Sequence, residues 1–138
     1  MIGPRARPQP FENGVAIVSD RIGRILLWLL VAMTLGAFVD GLGRIGAAGP
    51  DRVWVEVWRT FAYLVFAGLF ALLAVRPRQS PGLWELTAGH KLAVVVAGLT
   101  LGDVAEAHIA MAIDTLLIVM IGSAWGLCRG WRSWSSRT

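Results

Sequence analysis

Four runs of about twenty mostly apolar residues, parted by short breaks rich in Gly, Pro and Arg, leave this chain few ways to fold. A helix of about twenty residues matches the ~30 Å hydrocarbon core of a bilayer. The runs cover about residues 22–41, 53–75, 83–101 and 105–128, between residues 1–21 and 129–138, both expected as cytoplasmic tails. Composition agrees with a membrane class: 56% of the 138 residues are hydrophobic, against about 45–50% in ordinary soluble chains. The expected fold is all-α, an integral membrane four-helix bundle made of two antiparallel hairpins.

The breaks set the boundaries. Pro4, Pro8 and Pro10 with Arg5 and Arg7 make Met1–Gly14 a tail without hydrophobic periodicity. No small-residue cleavage site closely follows the first run, so it reads as an anchor and not a removed signal peptide. Pro50 precedes Asp51, a suitable N-cap for the second helix. Arg76 to Pro81 is a strong break, with Ser80 as N-cap and Pro81 at the first helical position. Asp103 and Glu106 have the spacing of a capping box at the start of the fourth helix.

Charge at the ends of the runs orients them. Arg5, Arg7, Arg21, Arg24, Arg76, Arg78, Arg129, Arg132 and Arg137 fall on one side, and Arg44, Arg52 and Arg59 toward the other. The richer side is cytoplasmic by the positive-inside rule, which puts both termini in the cytoplasm. Trp84, Trp125, Trp131 and Trp134 fall at the inner interface and Trp54 and Trp58 at the outer, as an aromatic belt requires. The net charge of +4 therefore reads as topology, and no nucleic-acid partner is expected, because the arginines form no continuous face. With Arg, Ala and Gly abundant and a single Lys, the composition suggests a GC-rich bacterial genome and the inner membrane.

Ionisable residues inside an apolar helix are costly and normally face a partner in the bundle. In an antiparallel hairpin turning at Gly102 and Asp103, residues whose numbers sum to about 205 share a depth. Lys91 and Asp114 do, which predicts an intramembrane ion pair roughly 15 Å below the turn at 1.5 Å per residue. The same construction about Gly49 and Pro50 sets Asp40 level with Arg59 and Arg44 level with Glu56, so these four are expected to form one network. Two readings of that network stand: four charges that neutralise one another and fix the hairpin, or an outward polar pocket with Tyr63 one turn below Arg59. Lys91 and Asp114 are likewise either a registry device or an acid–base pair. The ligand pocket, if there is one, takes Asp40, Arg44, Glu56, Arg59, Tyr63, Lys91 and Asp114.

Glu85, Thr87 and His90 lie toward the cytoplasmic end of the third helix, where Glu85 reaches water. His108 is level with position 97, about seven residues or ~10 Å from His90 in depth, too far for shared zinc ligation. Cys128 is the sole cysteine, so neither an intramolecular disulfide nor a multi-cysteine metal site is available. Gly98 and Gly102, and Gly122 and Gly126, repeat at the spacing of close-packed membrane helices. No Walker loop, dinucleotide fingerprint, zinc-protease helix or nucleophile elbow is present, and no cofactor is expected.

The layout of four short-looped spans, with Arg21 and Arg24 opening the first, Trp84-Glu85 opening the third and Asp114 in the fourth, resembles that of the small bacterial DoxX-like membrane proteins. The Gly and Lys pattern of that family's first helix is missing near Gly36 to Arg44. The resemblance implies association with quinone-linked or redox membrane partners and carries over no functional residues.

The function expected is a noncatalytic accessory or ligand-binding bundle that packs against lipid, a membrane partner or itself. The alternatives are a membrane-embedded acid–base enzyme acting on an isoprenoid, quinone or epoxide, with Asp114, Glu56 or Asp40 as the acid, and a small proton-coupled transporter. An enzyme or transporter should border a cavity of a few hundred Å³ with one of these acids.

Overall fold

The computed structural model describes residues 10–135 as four α-helices and a closing 3₁₀ turn. The helices are α1 (Pro10–Ala47), α2 (Val53–Val75), α3 (Leu83–Leu101) and α4 (Ala105–Leu127), followed by the turn Gly130–Ser133. The prolines and arginines expected in the tail before Pro10, and Arg137, lie outside the described residues.

The bounds of α2 and α3 are those that the proline breaks predict, and α4 ends one residue earlier than expected. The first helix departs most. Expected over 22–41, α1 has 38 residues, about 57 Å at 1.5 Å per residue. It begins at Pro10, whose missing N–H is harmless at a first helical position. It also runs through both of its flanking charge pairs, Asp20–Arg24 and Asp40–Arg44, each an i,i+4 pair that supports continued helix.

None of the predicted side-chain caps forms. The residue flanking α2 is Arg52, not Asp51, and the Gly49 carbonyl accepts the N–H groups of Arg52 and Val53 at 3.0 Å each. Before α3 the flanking residue is Gly82 at φ 83°, not Ser80, a left-handed conformation that glycine adopts without a Cβ penalty. Trp84 explains the sharper turn, because its indole Nε1 donates to the Pro77 carbonyl at 2.9 Å and folds the break back onto the helix. Before α4, Val104 is the flanking residue and its carbonyl takes the N–H groups of Ala107 and His108. The capping box is absent because Glu106 turns to Arg52 while Asp103 projects into solvent.

Helix contacts are most extensive between α1 and α2 and between α3 and α4, with α1 also against α4. Leu27 and Leu30 of α1, Phe70 and Leu73 of α2, and Leu117, Ile121 and Ala124 of α4 form the apolar core, closed at one end by Trp84. Gly41 permits the tightest approach of α1 to α2, since a Cβ there would meet Thr60 Oγ1 well inside van der Waals contact. Of the predicted glycine pairs, Gly98 packs against Met111, whereas Gly122 and Gly126 face open space.

Among the described residues, three helical segments are long and apolar enough to cross a membrane: Gly14–Ala47, Val53–Val75 and Ala105–Leu127. The sequence reading counts four. With 19 residues α3 has the length, but Glu85, His90 and Lys91 dilute its apolar character.

The last residues also differ from expectation. After α4, Arg129 adopts φ 54°, the sole non-glycine with positive φ among the described residues, and turns the chain back. Residues 129–135 are thus folded against the bundle: Trp131 meets Trp125 edge-on at 5.3 Å, and Trp134 Nε1 donates to Glu85 Oε1 at 2.9 Å.

The close approach at Gly41 yields a paired test. Gly41→Ala should lower stability by about 1–3 kcal/mol through overpacking, while Gly36→Ala, whose Cβ meets nothing within 4 Å, should be neutral or slightly stabilising. Thermal unfolding of the two variants in detergent reads the difference.

Candidate functional site

Ionisable groups gather at three places in the structure. The first lies between α3 and α4, where Lys91 Nζ sits 2.9 Å from Asp114 Oδ1. The two side chains are 11% and 10% exposed, so each charge has lost most of its water and depends on the other. The ammonium also stands 4.5 Å from the centre of the Phe66 ring on α2, a cation–π contact. The His90 ring lies tilted against the same ring, with 4.6 Å between centres. Phe66 thus ties α2 to α3, which otherwise touch little.

The second lies at the end of the bundle with the α1–α2 and α3–α4 turns. The single four-residue network expected there divides in two. Asp40 and Arg44 pair with each other at 2.6 Å on the exposed flank of α1. Glu56, buried on α2, accepts from Arg59 through Oε1 and lies 3.7 Å from Arg52. No ion pair crosses from Asp40 or Arg44 to Glu56 or Arg59 among the described residues. Gly41 is the residue of α1 that meets Thr60 of α2, and Asp40 and Arg44 lie exposed to the side of that contact.

In place of that link, Arg52 reaches across to Glu106 on α4, donating Nη2 to both carboxylate oxygens at 2.8 and 3.0 Å. The hydrogen bond and charge of Glu106 push the Arg52 pKa further up, so this cation does not titrate. The contact joins the two turns, and the sequence reading missed it because Glu106 was assigned to a cap. Two buried atoms at this end lack a hydrogen-bond partner: Glu56 Oε2 and Thr60 Oγ1, one helical turn apart on α2. Tyr63 is half-buried one turn beyond Arg59.

The third lies at the opposite end and centres on Asp20, a residue the sequence reading passed over. Asp20 accepts from Arg24 at 3.3 Å and from Arg78. Arg24 also donates to the carbonyls of Ala74 and Val75 at 3.0 and 3.3 Å, closing the C-terminus of α2 with a cation as the helix dipole favours. Arg78 Nε donates to the Cys128 carbonyl at 2.9 Å, and Cys128 Sγ lies 3.7 Å from the Asp20 carbonyl. One carboxylate thereby gathers α1, the α2–α3 turn and the end of α4. Burial, then the Asp20 charge, push the Cys128 thiol pKa up. The i,i+4 spacing of Asp20 and Arg24 is the signal that would have found this clasp.

Beside the clasp, Trp84, Glu85, Ala88, Ile121, Gly122 and Trp125 line a groove of about 210 Å³ between α3 and α4. None of the seven predicted pocket residues lines it. Among the described residues, no group of three or more His, Cys, Asp or Glu is placed to hold a metal ion.

No family model matches the chain, and no curated protein or solved structure shows a significant match.

Asp20→Asn should cost about 2 kcal/mol, the scale of hydrogen bonds to charged groups. It should also open Cys128, which is buried in the intact protein, to maleimide. Stability and thiol-labelling rate in the same detergent check both.

Proposed function

We propose that this chain is a small polytopic protein of the bacterial inner membrane, a noncatalytic bundle of two antiparallel hairpins whose two termini lie in the cytoplasm. What supports the reading is a strongly apolar surface around an interior that also holds charged and polar groups. The interior holds Lys91, Asp114, Glu56, Thr34, Thr60 and Thr87, while the surface carries Ile17, Leu86, Leu99, Ile109 and Trp54, each 64–73% exposed. In the 18-residue apolar window of each of the three span-length segments, 22–28% of the residues are buried. Contiguous apolar surface on that scale exceeds what a soluble monomer exposes and is what lipid would cover. The uneven arginine distribution supports the orientation.

A ligand-binding role rests on the end of the bundle around Glu56. There a buried carboxylate has one oxygen held by arginines and the other unpartnered, beside the unpartnered Thr60 hydroxyl. Such a pair suits a polar headgroup that donates a hydrogen bond, reached from outside past the Arg52–Glu106 contact. The same free oxygen favours a second reading, an acid–base enzyme on a lipophilic substrate or a proton-coupled transporter, with Glu56 rather than Asp114 as the acid. Asp114 has its cation at 2.9 Å, and the groove of about 210 Å³ is bordered by Glu85 and by none of the expected acids. The noncatalytic reading is preferred on that ground. By layout alone, quinone-linked or redox proteins of the membrane are the partners to try first.

Single cysteines placed in a Cys128→Ser background test the architecture. Gly49→Cys and Asp103→Cys should react with an impermeant maleimide on intact cells, and Gln79→Cys only after permeabilisation. Equal labelling of all three, or recovery of the protein in the soluble fraction, would refute the proposed topology.

A further inference from the structure

The groove between α3 and α4 is separate from the Glu56 site, and its surroundings specify what could fill it. Trp84, Ala88, Ile121, Gly122 and Trp125 make its walls apolar, and Gly122 leaves it open because nothing lies within 4 Å of where a Cβ would stand. A polar solute would find a single polar side chain there, Glu85, whose carboxylate already accepts from Trp134 Nε1 at 2.9 Å.

Both tryptophans of the groove are anchored to segments that carry uncommitted cations. Trp84 Nε1 donates to the carbonyl of Pro77, the neighbour of Arg76. Trp125 meets Trp131 at 5.3 Å and packs on Gly130, which brings Arg129 and Arg132 to the other wall. Arg24 and Arg78 are spent on Asp20. Arg76, Arg129 and Arg132 form no ion pair among the described residues. The segments that anchor the two tryptophans therefore carry three arginines outside any ion pair and one carboxylate, next in the chain to residues that touch the apolar slot.

We infer that the groove is a binding site for an anionic phospholipid, with an acyl chain between Trp84 and Trp125 and the phosphate held by Arg129 and Arg132. Guanidinium forks match phosphate oxygens, and tryptophans favour the depth at which headgroup and chain meet. The cationic surplus selects an anionic lipid over a zwitterionic one. This inference rests on the membrane reading above and adds to it a site, a ligand class and the residues that discriminate.

Tryptophan quenching in vesicles tests it. The full chain carrying Trp28→Phe, Trp54→Phe and Trp58→Phe keeps its emitters at the groove end. It is reconstituted with graded mole fractions of dibrominated phosphatidylglycerol or dibrominated phosphatidylcholine. Half-maximal quenching should need roughly five- to thirty-fold less of the anionic lipid, the selectivity of one to two guanidinium contacts. Arg129→Gln with Arg132→Gln should bring the two curves together, and Gly122→Leu, which fills the slot, should lower maximal quenching by both lipids. Coincident curves for the unsubstituted groove overturn the inference. So does quenching that weakens as protein concentration rises, the result if a second copy occupies the groove. Absence of quenching by either lipid refutes the membrane reading itself, which separates the two failures.

Discussion

Lys91 and Asp114 meet at 2.9 Å with about nine-tenths of each side chain out of solvent, so each buried charge depends on the other for compensation. Much of the bundle is arranged around that contact. It lies midway along the α3–α4 pair, so any slip of one helix by a turn, about 5.4 Å, would leave two uncompensated charges. The Phe66 ring, 4.5 Å from the ammonium, brings α2 into the same constraint, and Gly98 keeps α3 close to α4 by packing on Met111. An apolar contact of similar size would tolerate sliding. The ion pair would not, and that cost of slippage is the ground for reading it as a registry device.

The two ends of the bundle solve different problems with the same residue types. At the arginine-rich end, Asp20 collects Arg24 and Arg78, and those guanidinium groups satisfy the otherwise unpaired carbonyls of Ala74, Val75 and Cys128. That end is fastened, and residues 129–135 fold onto it. At the other end Arg52 joins buried Glu56 and exposed Glu106, and the Arg52–Glu106 contact, open to solvent on both sides, is a weak one. The unpartnered atoms, Glu56 Oε2 and Thr60 Oγ1, are at this end.

Depth along a helix was legible in the sequence, and rotation about its axis was not. Counting from the Gly102–Asp103 turn is enough to bring Lys91 to Asp114, because 1.5 Å per residue holds whatever the packing. The same counting made Asp40 and Arg44 level with Arg59 and Glu56. Which way α1 faces depends on tertiary contacts, above all Gly41 against Thr60, and these point Asp40 and Arg44 to the outside. Prolines marked the bounds of α2 and α3, whereas α1 outran its apolar stretch because i,i+4 charge pairs prolong a helix that a hydropathy boundary would end. The caps failed for a related reason: Glu106 had a longer-range partner in Arg52, and Gly82 offered a backbone turn that Ser80 could not. Apart from the Asp20–Arg24 pair, the Asp20 clasp and the Trp-lined groove join residues about 30 to 110 positions apart, beyond the reach of local pattern.

The central claim is that Lys91 and Asp114 form a mutually dependent ion pair inside the bundle, and a double-mutant cycle tests it most directly. Unfolding free energies would be measured in detergent for Lys91→Ala, Asp114→Ala and the combined variant. Each single change should cost about 3–5 kcal/mol because it strands a buried charge, and the double variant should regain most of that loss. Additive losses, with no coupling between the positions, would contradict the account.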